Sequence, residues 1–286
     1  MSLIKPIGSP PVRYPCFYER QGVAPTIYDR FNPLVVYSMR KTLLSQNRCI
    51  RIRRDSDNAE IDVGFSGGWV DEQAIKDFGG GASDCFVTTC YGVAGQDATQ
   101  TTEASQPKIY DVATGEVTKE NGKPAMVFNG TNDNLVIPNI AGRSNIDAYF
   151  VTRHDFGTTE DTNTSSYIYP SIGNSLGGTY GFVGQKNATT TIIKNNYGNP
   201  NLYKNNILFT ATTRDDVYNF LGQTQNIVNH QGADVSVWSS FNFGNFINIQ
   251  FYFEGKLQEL AVFDGTLSTQ QRVDLHEDIN NKFNIY

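Results

Sequence analysis

The sequence predicts an all-β sandwich with a few short peripheral helices and an extended N-terminal arm. Three observations carry that prediction. Short runs of β-branched and aromatic residues recur along the chain, separated by Asn-, Asp- and Gly-rich turn signals. The clearest run, Ile247–Phe253, places Ile247, Ile249, Phe251 and Phe253 in alternation with Asn248, Gln250 and Tyr252, the period of a half-buried strand. Helical periodicity is confined to short stretches, and neither an internal repeat nor a compositional break divides the chain. With 286 residues, 39% of them hydrophobic, the chain can bury one large core.

Residues 1–24 hold prolines 6, 10, 11 and 15 and show little periodicity, which reads as an arm preceding a domain over 25–286. Tyr14, Phe17 and Tyr18 are the arm's candidate docking residues. From Pro33 to Leu44, Leu34, Val35, Met39 and Leu43 recur at helical spacing, and Pro33 suits a first turn, so a helix is expected there. Ile50–Phe65 (IRIRRDSDNAEIDVGF) starts as a strand and breaks at Asp55-Ser56-Asp57-Asn58, residues whose side chains bond nearby backbone. Its arginines 48, 51, 53 and 54 are answered by acids 55, 57, 60 and 62, the pattern of a self-paired surface. A short helix is expected over Asp71–Phe78, closed by Gly79-Gly80-Gly81. Asn121-Gly122 marks a type I′ hairpin before Pro124–Phe128. Further expected strands are Cys85–Tyr91, Leu135–Ile137, Asp147–Arg153, Ser166–Tyr169, Gly178–Gly184, Thr190–Lys194, Asn206–Thr212 and Asp216–Leu221. Glu254-Gly255 reads as a turn into a last strand, Leu257–Phe263. The chain ends in a helix: Ser268 with Gln271 forms a capping box, and Leu275, Ile279 and Phe283 form an apolar stripe.

A net charge of −6 argues against a general nucleic-acid or anionic-membrane binder. No apolar run is long enough to span a bilayer. Prolines interrupt the N-terminal stretch where a signal peptide needs an apolar core, so synthesis without a secretory signal is expected. Cysteines 16, 49, 85 and 90 are too scattered for a disulfide scaffold and read as buried thiols. No cofactor is expected. Asn132-Asp133-Asn134 is a weak calcium candidate that reads first as a self-bonded turn. Asn195, Asn196 and Tyr197, with Tyr180 and Trp238, combine amides and aromatic rings in the way saccharide sites do, and they are the candidate carbohydrate-binding residues.

Beyond the residues themselves, FYFEGKLQELAVFDGTLSTQQRVDLHEDINNKFNIY resembles the closing strand pair and helix of concanavalin A-like (laminin G-like) lectin/glucanase domains. NGKPAMVFNGTNDNL (Asn121–Leu135) resembles the hairpin before the first long core strand of the same superfamily. Val35–Lys41, Ile50–Phe65 and Phe86–Tyr110 resemble the N-terminal region of family 54 arabinofuranosidase catalytic domains. Similar combinations occur in proteins of tailed bacteriophages. The resemblance implies a concanavalin A-like jelly roll.

It does not carry the family's catalytic acids. The segment matching the nucleophile's Glu-Asn-Gly, Gly184–Asn196, contains no acid. The acid/base position falls within Phe241–Asn245, also without one, and a Tyr-Asp-Gln-Ser-Gly segment has become Tyr91-Gly92-Val93-Ala94-Gly95. A retaining glycosidase needs two opposed carboxylates. The sequence therefore favours a non-catalytic bacteriophage virion component, on a tail, a fibre or the capsid surface. Its partners would be other virion proteins, met through the arm, with host glycans as a further expected contact and no nucleic acid or membrane. The alternatives are a soluble carbohydrate-binding module and a glycoside hydrolase with displaced carboxylates, drawn from Asp155, Glu160 or Asp234.

Overall fold

The computed structural model describes residues 25–155, 166–167, 197–244 and 252–286. Its organising element is a single strand, Tyr252–Asp264. One edge of that strand pairs antiparallel with Ile146–His154. The other edge pairs with Val35–Ser38 along its second half and with Met126–Asn129 along its first. Ile146–His154 continues the sheet through Asn226–Ala233, Asn201–Lys204 and Ile207–Phe209. In the opposite direction Met126–Asn129 meets Lys108–Asp111, then Cys85–Cys90, Arg48–Arg54 and Glu60–Ser66. The fold is an all-β sandwich, as the sequence predicts.

Successive residues on a strand point to opposite faces, and the two cores divide accordingly. Tyr37, Ala148, Phe150, Val228, Leu260 and Val262 face the main core, which they share with Ile50, Ile52, Val87, Phe241 and Phe243. Val36, Tyr149, Val151, Ile227, Ala261 and Phe263 face the other way, under helices α1 (Ile27–Phe31) and α4 (Thr269–Phe283). Leu275, Ile279 and Phe283 are fully buried there, so the expected stripe is the docking face of α4. The capping box of Ser268 and Gln271 is also formed.

The Ile50–Phe65 stretch forms the expected strand and turn, and the chain returns as a second strand, with Arg48–Arg54 paired against Glu60–Ser66. Its ions pair among themselves: Arg51 Nε lies 2.6 Å from Asp62, and Arg54 Nη2 lies 2.6 Å from Asp57. Arg54 also donates to the Phe78 carbonyl at the end of the next helix, Glu72–Gly79 (α2), at 2.8 Å. In the hairpin after Glu120, Asn121 and Gly122 both take positive φ (47° and 71°), as a type I′ turn requires.

Three expectations are corrected. Val35–Ser38 is a strand, with all four residues buried, rather than part of a Pro33–Leu44 helix. The helix comes earlier, opened by a Thr26–Asp29 capping box and closed by Asn32 in the left-handed region, so Pro33 marks an end and not a start. Asp216–Leu221 belongs to a helix, Arg214–Leu221 (α3), because Thr213 and Asp216 form a capping box that nucleates it. Glu254-Gly255 does not turn the chain: the strand runs straight through, and a Cβ at residue 255 would come within 2.2 Å of the Arg153 carbonyl oxygen, so only glycine fits. Asn226–Ala233, a strand in which half of the side chains are polar, carries no sequence signal. The expected strands Gly178–Gly184 and Thr190–Lys194, like the arm of residues 1–24 with Tyr14, Phe17 and Tyr18, lie outside the described residues. Among the described residues, no helix is long and apolar enough to cross a membrane.

Candidate active site

The sheet's central pairing brings two carboxylates together at one end. His154 pairs with Gly255, so the next pair in the antiparallel register is Asp155 with Glu254. The Asp155 amide donates to the Glu254 carbonyl at 3.0 Å, which keeps the two strands in step past the last formal pair. Directly opposed residues have Cβ atoms about 4.5–5.5 Å apart on the same face. Burial, then the charge of Asp155, pushes the Glu254 carboxyl above its ordinary value.

The neighbours hold the pair in place. Arg153 Nε lies 2.9 Å from Asp155 Oδ1, two residues away on the same face. The guanidinium of Arg153 also reaches Glu120 at 3.2 Å, and Lys256, opposite Arg153, reaches the same Glu120 oxygen at 3.0 Å. Asp155 thus has a fixed cation beside it, and Glu254 has no cation among the described ion pairs. On the far side of Glu254, Gly130 sits with φ 71°, and a Cβ there would lie 2.8 Å from the Glu254 Cβ. Glycine at 130 leaves room for the acid. A carboxyl raised by burial beside a second carboxylate is the minimum set for acid-assisted displacement at a glycosidic bond.

Of the displaced acids named from sequence, Asp155 is part of this pair and Glu160 lies outside the described residues. Asp234 is elsewhere. It follows Ala233, which pairs with Ile146 at the far end of the strand from Asp155, roughly 30 Å away at a strand's rise per residue. Its carboxylate accepts from the Ser236 amide at 2.9 Å and shapes a turn. Glu254-Gly255 reads as a turn from sequence, yet the alternation of Asn248, Gln250 and Tyr252 continues to Glu254 and puts it in register with those polar residues.

Two positions that match the resembled family's acids are structurally occupied. Phe241 and Phe243 are fully buried in the main core, with Phe243 5.7 Å from Phe253. At Gly92 an added Cβ would lie 2.1 Å from the Gln96 carbonyl oxygen, so an aspartate does not fit, and the Gly92 amide bonds Asp97 at 3.1 Å.

The saccharide candidates fare unevenly. Tyr180, Asn195 and Asn196 lie outside the described residues. The structure places Tyr197 and Trp238 in the core, 0% and 4% exposed, stacked at 5.4 Å. The Tyr197 hydroxyl is 2.7 Å from His230 Nδ1, so neither ring is offered to solvent as a platform. At Asn132-Asp133-Asn134 the oxygens serve the turn. Asp133 accepts from the Asn129 amide at 2.9 Å, Asn132 Oδ1 from Asn129 Nδ2 at 2.7 Å, and Asn134 Oδ1 from Gln100 at 2.5 Å. Burial pushes Asp133 up to about 7. Among the described residues, no group of three or more His, Cys, Asp or Glu is placed to hold a metal ion. Cys49, Cys85 and Cys90 are buried free thiols, as expected, and burial raises all three.

No family model and no curated protein sequence matches this chain. Solved structures do. An arabinofuranosidase complexed with arabinofuranosyl-α-1,2-xylobiose superposes with a TM-score of 0.57 at 12% identity, over 88% of this chain and 64% of that one. A mutant GH54 α-L-arabinofuranosidase soaked with 4-nitrophenyl α-L-arabinofuranoside gives 0.56 at 13% identity, with the same coverage. The chain therefore spans about 64% of the length of the chains it matches. The shared property is the fold. The expectation of a non-catalytic bacteriophage virion component is corrected by these matches: the superposed structures are arabinofuranosidases, and nothing in them points to a virion.

Proposed function

We propose that this chain is a glycoside hydrolase acting on arabinofuranosides, with Glu254 as the proton donor and Asp155 as the opposing carboxylate. The carrying observation is the cross-strand pair itself, in a fold whose solved relatives cleave such bonds. Glu254, raised by burial and by Asp155, keeps its proton to higher pH than an ordinary glutamate and can pass it to the leaving oxygen. Asp155, held 2.9 Å from Arg153, is the carboxylate placed to meet the anomeric carbon. Cross-strand opposition sets the two Cβ atoms about 4.5–5.5 Å apart on one face, so both carboxyl groups can flank a single glycosidic bond.

The test is hydrolysis of 4-nitrophenyl α-L-arabinofuranoside by the full chain. Glu254→Gln and Asp155→Asn are each expected to lower kcat by at least about 100-fold, the usual contribution of a positioned acid or base. An unchanged rate in Glu254→Gln rules out the assignment, and a wild-type chain without hydrolysis of any furanoside rules out the activity.

A further inference from the structure

A groove of about 340 Å³ opens on the polar face of the Arg48–Arg54 and Cys85–Cys90 strands, several strands away from Asp155 and Glu254. Its floor is a cross-strand row, Arg51–Thr89–Thr99, fixed by successive register pairs, which Val136 continues at the groove's margin. Its wall is Arg53, 5% exposed and wired on three sides. Arg53 Nε donates to Gln106 at 2.8 Å, and its Nη1 donates to Asn58 at 2.6 Å and to Asp55 at 3.0 Å. Among the described residues its Nη2 has no partner. Asn58 passes the chain on to Glu103 at 3.1 Å, leaving the second Glu103 oxygen unengaged among the described residues.

We infer that this groove is a binding site for a neutral saccharide, separate from the carboxylate pair. The chemistry selects the ligand. Arg51 and Arg53 line the groove together with Glu60 and Glu103, so an anion meets two carboxylates and a cation meets two guanidinia. A polyol avoids both conflicts, because each hydroxyl donates and accepts at once. Vicinal hydroxyls can accept from Arg53 Nη2 while donating to Glu103. Those groups are already held by Gln106 and Asn58, so little side-chain freedom is lost on binding. Val136, 45% exposed beside Thr99, offers an apolar surface to the C–H face of a sugar ring. The volume falls in the range of small-ligand sites.

The test is amide-detected NMR of the full chain titrated with arabinofuranosyl-α-1,2-xylobiose, and separately with sodium glucuronate. The neutral oligosaccharide is expected to shift resonances of Asn58, Thr99 and Glu103 with saturation in the millimolar range, and glucuronate to bind at least tenfold more weakly. Thr99→Trp, at an exposed position on the groove floor, and Glu103→Ala, on an exposed turn, should each weaken binding at least tenfold. Both should leave 4-nitrophenyl α-L-arabinofuranoside hydrolysis unchanged. Shifts absent from the groove, unaltered affinity in both variants, or tighter binding of glucuronate overturns the inference. Because hydrolysis is read separately, shifts confined to Asp155 and Glu254 would reject the groove and leave the proposed activity standing.

Discussion

Two glutamates five residues apart on one strand, Glu254 and Glu259, set a scaffold acid against the acid proposed for catalysis. Both lie on the helix-facing side of the sheet, since the register shift near Gln258 keeps them in phase. Glu259 is 2% exposed and accepts from four donors: Arg40 Nε at 2.7 Å, Arg40 Nη2 at 3.0 Å, the Ser38 hydroxyl at 2.6 Å and the Tyr28 hydroxyl at 2.5 Å. Arg40 is held in turn by Asp278 of α4 at 2.8 Å. Both oxygens are fully used by donors, two apiece. Glu254 is half-buried beside another carboxylate, and its proton is correspondingly hard to remove. A buried acid with a complete donor set fixes an interface. One with an incomplete set and an acidic neighbour holds a transferable proton.

The comparison breaks most visibly at Glu259. Replacing it by Ala strands the Arg40 guanidinium, 5% exposed, without its main counter-charge. Losing one partner of a buried pair costs about 3–5 kcal/mol. Denaturant unfolding of Glu259→Ala is expected to show that loss, with α4 loosening first because Arg40 bridges it to the sheet. Folded Glu259→Ala should still hydrolyse the arabinofuranoside at low temperature. If both variants, Glu259→Ala and Glu254→Gln, were equally stable and equally inactive, the distinction between the two glutamates would collapse.

Gly130→Ala perturbs the other member of the comparison. The substitution strains a backbone at φ 71° and presses a methyl against the Glu254 side chain. A cost of about 1–3 kcal/mol is expected. The informative readout is kcat, which should fall as the acid is displaced while substrate affinity changes little.

His276 provides a smaller test within the interface that Glu259 anchors. It is fully buried against Tyr149, and neither ring nitrogen has a partner among the described residues. Burial lowers it to about 3, so the folded chain excludes a proton that the unfolded chain binds below pH 6.5. Its contribution is therefore intact above pH 6.5 and is lost at about 1.4 kcal/mol per pH unit from there down towards 3. His276→Leu should leave stability at pH 8 within about 1 kcal/mol of the parent. At pH 5 it should be the more stable of the two, as thermal melts at both pH values would reveal.

What the sequence disclosed follows from how local each signal is. The α4 cap at Ser268 and its stripe to Phe283 lie within one helix, and the Asn121-Gly122 turn lies within two residues, so both were legible. Val35–Ser38 was not, because burial on both faces erases alternation and leaves an apolar run that a helix could share. Arg214–Leu221 was hidden by Val217, Tyr218 and Phe220, whose strand propensity the Thr213 cap overrides. The carboxylate pair joins residues about a hundred positions apart, and only the register of two strands brings them together. Tyr197 and Trp238 were drawn towards a sugar site because aromatic content does not report burial.

The smallest expected effect separates the glutamates most cleanly by sign. A carboxyl whose folded pKa is raised favours the folded state at low pH and works against it as pH rises past the ordinary value of 4.5. Replacing Glu254 by Gln removes that penalty, so Glu254→Gln should gain stability at pH 8 and none at pH 4. Solvent screening of a half-exposed group keeps the gain under about 1 kcal/mol. Glu259→Gln should lose stability at pH 8, since its four donors then face a neutral amide. Chemical denaturation of both variants at the two pH values checks the pair. The same protonation appears in catalysis: wild-type hydrolysis should decline as pH rises through the Glu254 pKa, above where an exposed glutamate would set the limb. Stabilisation of the amide at high pH, together with its inactivity, would mark Glu254 as an acid kept protonated for its chemistry at a cost to the fold.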